Sequence, residues 1–260
     1  MAHLMITVDD CGLSEGINHA TAELHEKGIV NTASIITSFP AAQHAFALFA
    51  RYPELEMGVH LNLTEGYALV KPDTPTALVD QAGRFRSRFH LFSNALLGNQ
   101  RFLAQVEAEL RTQIEVFLHN GIQPGHLSTH MHFHIVPSLR RIVVKLAQEY
   151  NIPWIRSFDP MTTVVPFSSK VCSQNPTGKL NDTVQMHDHL AGLYFWRILN
   201  PGLLSAELIQ LPGTVEVVVH AGLTNDPTFP ANVPYTPKKR AAEKKYLERL
   251  YPLLAKAQAN

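Results

Sequence analysis

The chain has 260 residues, 45% apolar and 17% charged, with Lys+Arg and Asp+Glu each at 22 for a formal net charge of zero. That composition can fill a sizeable core and argues against disorder, and the absence of a long basic run argues against nucleic acid as a partner. One α/β domain over 1–260 is the expectation at this length, and two cysteines, Cys11 and Cys172, fit a reducing compartment better than a disulfide framework.

The apolar run at the N-terminus stops at Asp9 and Asp10, too short for a signal peptide, and no stretch approaches the ~18 apolar residues of a membrane span. A cytoplasmic protein with no transmembrane segment is expected. Leu4 to Val8 predicts a buried strand ending in Asp9-Asp10-Cys11-Gly12, and Ser14 is placed to cap a helix closed by Gly28. Ala33 to Ile36 predicts a second strand, Ala41 to Ala50 a helix, and Met57 to Leu63 a third strand with His60, Asn62 and Thr64 on one side. From about 67 to 100 the rhythm breaks, and the basic, aromatic Arg84 to His90 cluster reads equally well as a cover over a site mouth or as a solvated loop. Phe102 to His119 is an amphipathic helix ended by Asn120-Gly121.

The next strand carries the densest chemistry. In an extended Gly125-to-His134 run, His126, His130, His132 and His134 would all face one way, with i and i+2 neighbours ~6.6 Å apart. Two imidazoles can converge from that separation on one divalent ion. One such histidine alone is more often a hydrogen-bonded core residue; four at this spacing favour a metal, although spacing does not say which of them binds. Pro137 opens a helix through Tyr150, and Pro153 to Arg156 reads as a strand. The stretch from about 158 to 211 is the least regular, and its Tyr194-Phe195-Trp196 is either core or a stacking wall for a sugar ring. Thr214 to His220 is a buried strand, and Thr236-Pro237 starts a final helix running toward Ala255.

Strand–helix alternation predicts βαβ units and a parallel sheet, whose chemistry gathers at the carboxyl ends of the strands. Asp9, Asp10, His60, the His130 cluster, Arg156 and His220 stand at such ends. A carboxylate with two histidines is a common catalytic metal set, and a metal on Asp10 leaves Asp9 free as a base that Arg156 can hold ionised. The commoner uses of these residues are a turn for an Asp-Asp pair and a surface charge for an arginine.

The segments Asp9-Asp10-Cys11-Gly12-Leu13-Ser14, Gly58-Val59-His60-Leu61-Asn62-Leu63-Thr64 and His126 to His134, with His220 near the end, together resemble the YdjC-like carbohydrate deacetylases, the ChbG/HpnK group. The resemblance covers most of the chain in order. It implies an α/β fold, an incomplete (β/α) barrel akin to the polysaccharide deacetylases, as a single 1–260 domain with excursions at about 67–100 and 158–211. It also implies one divalent ion, Mg²⁺ or Zn²⁺, on Asp10, His60 and His130, with Asp9 as general base, Arg156 orienting it, and His220 as general acid. The chain departs from the pattern at Ser128-Thr129, where many relatives carry Asp-Ser, at Cys11 in place of Phe, and at Ala221 in place of Pro.

The implied activity is metal-dependent removal of the N-acetyl group from an acetylated amino sugar, free, in an oligosaccharide or on a glycolipid. Alternatives are a metal-assisted hydrolase of another amide or ester, or a non-catalytic metal-binding protein. The latter suits the residues less well, since structural zinc sites are closed and usually Cys-rich. A glycosidase is disfavoured because adjacent strand residues face opposite ways and would not flank a substrate. The N-acetylated carbohydrate is the expected partner. The sequence leaves the oligomeric state open, a homodimer included.

Overall fold

The computed structural model describes residues 3–70, 76–157, 183–192 and 201–258. Seven strands form one sheet: β1 (His3–Cys11), β2 (Thr32–Ile35), β3 (Glu56–Leu61), β4 (His126–Thr129), β5 (Trp154–Ile155), β6 (His189–Gly192) and β7 (Thr214–Val219). The order is β5-β4-β3-β2-β1-β7-β6, with every pairing parallel. Parallel neighbours need crossovers, and the helices supply them: α1 (Glu15–Glu26), α2 (Ala41–Phe49), α3 (Arg88–Leu96), α4 (Gln100–His119), α5 (Pro137–Glu149), α6 (Pro201–Gln210) and α7 (Pro237–Gln258). The edge strand β5 also meets Gln185, just ahead of β6, through an Ile155 N–H to Gln185 carbonyl bond of 2.9 Å and a Gln185 N–H to Pro153 carbonyl bond of 2.8 Å. This is the parallel sheet that the alternation predicts and the incomplete barrel that the family resemblance implies.

Period-2 alternation sorts the strands into two faces. Ile6, Val8, Ala33, Ile35, Val59, Leu61, Leu127, Val215, Val217 and Val219 are buried in the apolar cluster that the helices cover. The intervening residues Thr7, Asp9, Thr32, Ser34, His60, His126, Ser128 and Glu216 are also buried, which makes the barrel interior polar. Helix α4 shows how the outer layer is made, because Phe102, Val106, Leu110, Ile114 and Phe117 recur at helical spacing and are fully buried. On the same face the Glu109 carboxylate accepts the N–H groups of Leu69 (3.0 Å) and Val70 (2.9 Å), tying the start of the 67–100 excursion to the core. Burial raises the Glu109 pKa.

Several sequence expectations need correction. Ser14 occupies the N-cap position of α1, but its hydroxyl makes no capping bond and donates instead to Asp226 Oδ2 at 2.6 Å. The 158–211 stretch, read as irregular, holds β6 and α6, while Tyr194-Phe195-Trp196 and Cys172 lie outside the described residues. The 67–100 excursion contains α3 and two antiparallel bridges, Tyr67 to Arg84 and Val79 to Phe85. Among the described residues no helix is long and apolar enough to cross a membrane.

Gly12 follows β1 with φ +83°, and a Cβ there would stand 2.6 Å from the Ile36 carbonyl oxygen. Gly12→Ala is therefore expected to cost about 1–3 kcal/mol from the left-handed backbone alone. A thermal melt would read this as a fall of roughly 2–4 °C per kcal/mol. An unchanged midpoint would contradict the strain argument.

Candidate active site

The first strand does not run straight into the pocket. β1 shifts register between Val8 and Cys11, and Asp10 adopts φ 65°. A left-handed non-glycine residue costs on the order of 1–3 kcal/mol and persists where its surroundings enforce it. The irregularity brings the Asp9 and Asp10 carboxylates into one pocket, against the expectation that neighbours on a strand face apart.

The two carboxylates are held by different cations. Arg156, buried just past β5, grips Asp9 with Nη1 on Oδ2 at 2.6 Å and Nη2 on Oδ1 at 2.7 Å. Its other side meets Glu216, with Nε at 3.1 Å and Nη2 at 2.8 Å from Oε1. Burial alone would raise the Asp9 pKa, but the Arg156 guanidinium, helped by His60, holds it far below the usual carboxylate range. Asp10 is likewise depressed against its burial, by His130 and by Arg240, whose Nη2 donates to Oδ2 at 2.6 Å. Both carboxyls are held ionised, which suits neither to the role of a glycosidase's protonated acid, and their convergence removes adjacency as the reason for disfavouring that reaction.

His60 comes from β3. Its Nε2 lies 3.3 Å from Asp10 Oδ1 and 3.8 Å from Asp9 Oδ2, and its Nδ1 bonds the Ser128 hydroxyl at 2.7 Å. Burial pushes its pKa down against the pull of both aspartates. His130 follows β4, with Nδ1 2.9 Å from Asp10 Oδ1. Burial opposes its protonation, but the Asp10 charge prevails and its pKa is pushed up to about 10. Asp10, His60 and His130 offer ligand atoms all within 4.8 Å of one another and can hold a metal ion. The fit is supported by the donor types, with His60 Nε2 and His130 Nδ1 both facing Asp10 Oδ1, while His130 Nε2 lies 3.7 Å from Glu65 Oε1.

The four-histidine face does not exist as expected. β4 stops at Thr129, and residues 130–135 form a short 3₁₀ segment in which Met131 and His132 take positive φ. His130 and His132 reach the pocket; burial pushes His132 down to about 4, leaving it neutral. His134 turns inward, bonding the Thr129 hydroxyl and, through Nε2, the Ser157 carbonyl at 3.1 Å. His126 is buried lower in the barrel against Ser34 and Glu56. Asn62 serves structure, donating to the Glu65 carbonyl at 2.7 Å and accepting the N–H of Thr64 at 3.1 Å.

His220 lies one residue past β7, in the same cavity of about 340 Å³ as Asp9, Asp10, His60 and His130. Glu243 from α7 accepts its backbone N–H at 2.8 Å and faces its Nδ1 at 3.4 Å. Burial works against protonation of His220, yet Glu243 outweighs it and raises the pKa. Cys11 is buried toward the apolar layer, with its thiol pushed up to about 12, and takes no part.

Three residues of this network escaped the sequence reading: Glu216, Arg240 and Glu243. Glu216 had a signal, as the lone charge in the apolar strand Thr214–Val219. Arg240 and Glu243 share helical spacing with the buried Leu247, Leu250 and Leu254, which marks both as inward-facing on α7.

A model of the family described as "YdjC-like protein" matches residues 3–250. A carbohydrate deacetylase of Halalkalibacterium halodurans is 40% identical over 152 residues, covering 58% of this chain and 62% of that protein. Another from Geobacillus stearothermophilus is 36% identical over 151 residues, covering 58% of each. A third, from Vibrio parahaemolyticus, is 33% identical over 175 residues, covering 66% of each. The chain thus spans less than two thirds of the length of these curated relatives. A crystal structure of a candidate cellobiose-phosphate cleavage protein from Enterococcus faecalis V583 superposes with TM-score 0.80 at 20% identity, covering 98% of this chain and 94% of that one, which shows a shared fold.

Proposed function

The chain belongs to the YdjC-like protein family, and on that premise we propose that it is a metal-dependent hydrolase that removes the acetyl group from an N-acetylated amino sugar. The observation carrying the proposal is one cavity that joins the Asp10, His60 and His130 set to an ionised Asp9 and to His220. The relatives named carbohydrate deacetylase supply the substrate class. We read 1–260 as one domain whose 67–100 segment contributes Arg88 to the mouth. Met131, Val233, Pro234 and Tyr235 add an apolar wall suited to an acetyl methyl and a sugar face.

A divalent ion held by Asp10, His60 and His130, Zn²⁺ or Mg²⁺, would polarise the amide carbonyl and acidify the attacking water toward a pKa of ~7. Asp9 accepts that water's proton. The bidentate Arg156 clamp keeps Asp9 ionised and therefore able to accept a proton. Arg156, anchored on Glu216, keeps the accepting oxygens in place. As the C–N bond breaks, His220 gives its proton to the leaving nitrogen, yielding acetate and a free amino sugar.

A pH profile tests the acid. Glu243 raises the His220 pKa, and a general acid must be protonated to act, so Glu243→Gln should move the basic limb of the kcat profile to lower pH. An unmoved limb would remove His220 from the role. Product analysis tests the reaction class. An N-acetylated oligosaccharide should yield equimolar acetate and free amine at unchanged chain length; a shorter sugar with its acetyl groups retained would mean glycoside cleavage.

A further inference from the structure

Beneath the pocket, the barrel interior carries a continuous file of polar side chains. His60 on β3 pairs in register with Ser128 on β4, and Ser34 on β2 pairs with Gly58. From His60 Nδ1 the contacts run to Ser128 Oγ at 2.7 Å, on to Ser34 Oγ at 3.0 Å, to His126 Nε2 at 2.7 Å, and from His126 Nδ1 to Glu56 Oε1 at 3.0 Å. Ser34, Ser128, His126 and His60 are buried, whereas Glu56 opens the strand with its side chain 38% exposed.

We propose that Glu56, His126, Ser34 and Ser128 are positioning residues, a one-way hydrogen-bond relay that fixes His60 with its proton on Nδ1 and its Nε2 lone pair free for the metal. The inference rests on the reading of His60 as a metal ligand. The polarity follows from counting protons. An ionised carboxylate only accepts, so a neutral His126 donates to Glu56 from Nδ1 and offers Nε2 as an acceptor. Ser34 has one hydroxyl proton and spends it on that Nε2. Its oxygen must then be supplied by Ser128, which does donate to it. Ser128, its own proton committed, accepts from His60 Nδ1. Glu56 is held ionised mainly by its hydrogen bond to His126. A metal-ligating histidine needs its second nitrogen held in this way.

Two glycines make room for the relay. A Cβ on Gly58 would fall 2.3 Å from ring atoms of His126, and one on Gly125 would fall 2.7 Å from the Glu56 side chain. The strands around the site thus omit side chains where the relay passes. Ser128, a residue with no charge of its own, reaches the Glu56 carboxylate through two further groups, Ser34 and His126.

The test is Zn²⁺ affinity, measured by chelator competition on the full chain, with thermal melts to confirm folding. Ser34→Ala and Glu56→Ala should each weaken binding about 10- to 100-fold. Breaking one chain twice costs little more than breaking it once, so the double variant should bind about as the weaker single one does, whereas independent structural effects would add. Glu56→Gln, whose amide oxygen still accepts from His126, should recover most of the affinity. Because Glu56 is half-exposed, its variants keep the test available even if Ser34→Ala does not fold. His60→Ala is the control. Zn²⁺ binding that depends on His60 but is unchanged in the relay variants, or losses that add, would overturn the relay alone. Zn²⁺ binding indifferent to His60→Ala would overturn the metal-site reading and the relay with it.

Discussion

Asp9→Asn is expected to lower kcat by about 10²–10⁴-fold while leaving divalent-metal stoichiometry unchanged. The amide keeps the shape of the carboxylate but cannot accept the water's proton. The metal set sits on the neighbouring Asp10 with His60 and His130, so binding should survive. Stability should change modestly, because Arg156 retains Glu216 as an ionic partner. Single-turnover acetate release and a metal titration on the same sample separate the effects. If Asp9→Asn abolished metal binding, Asp9 would be a ligand and not the base; undiminished turnover would remove it from catalysis.

Arg156→Ala is expected to be the most damaging substitution for folding, with a loss of about 3–5 kcal/mol, because it strands two buried carboxylates. Asp9 and Glu216 have Arg156 as a shared cation, and both are depressed by it against their burial. In the native protein, depressed pKa values give stability that is present above the unfolded carboxylate range and fades as the pH falls. Without the guanidinium, burial dominates and the same groups are raised, which reverses the sign. Their destabilisation is then largest at neutral pH and is relieved as they protonate. The gap in unfolding free energy between Arg156→Ala and the native chain should therefore narrow as the pH falls from neutral toward about 4, where the raised carboxyls of the variant protonate, and narrow further below it as the native chain loses its own charge stabilisation. A gap independent of pH would mean that lost packing, not stranded charge, is the cause. Arg156→Lys should rescue only in part, since a point charge cannot span Asp9 and Glu216 as the planar fork does.

The strand–helix alternation was legible in the sequence because the outer layer of the sheet obeys simple periods. Leu4 to Val8 and Phe102 to His119 read correctly as a buried strand and an amphipathic helix, and the strand read as Thr214 to His220 ends one residue earlier, at Val219. The candidate site residues stood out as charges and imidazoles at strand ends, with His130 chosen from its cluster only by the family resemblance, and Asp9, Asp10, His60, His130 and His220 do line one cavity. What did not read through was local backbone geometry. A regular period-2 strand puts Asp9 and Asp10 on opposite faces and four histidines on one; the φ values of Asp10, Met131 and His132 break that period in both places. Positive φ in a non-glycine residue leaves little mark on composition, so only tertiary context reveals it. The second gap was long-range pairing. Arg240 and Glu243 belong to a helix more than 200 residues from Asp10, and sequence pattern could show that they face inward but not what they meet.

The most direct test of the account is acetate release from a panel of N-acetylated mono- and oligosaccharides by metal-stripped protein, before and after Zn²⁺ or Mg²⁺ is restored. The account predicts no release from the stripped protein and release on restoring the ion, lost again in His60→Ala and His130→Ala. Release that persists at full rate in the stripped protein, or is unaffected by those two substitutions, would contradict it.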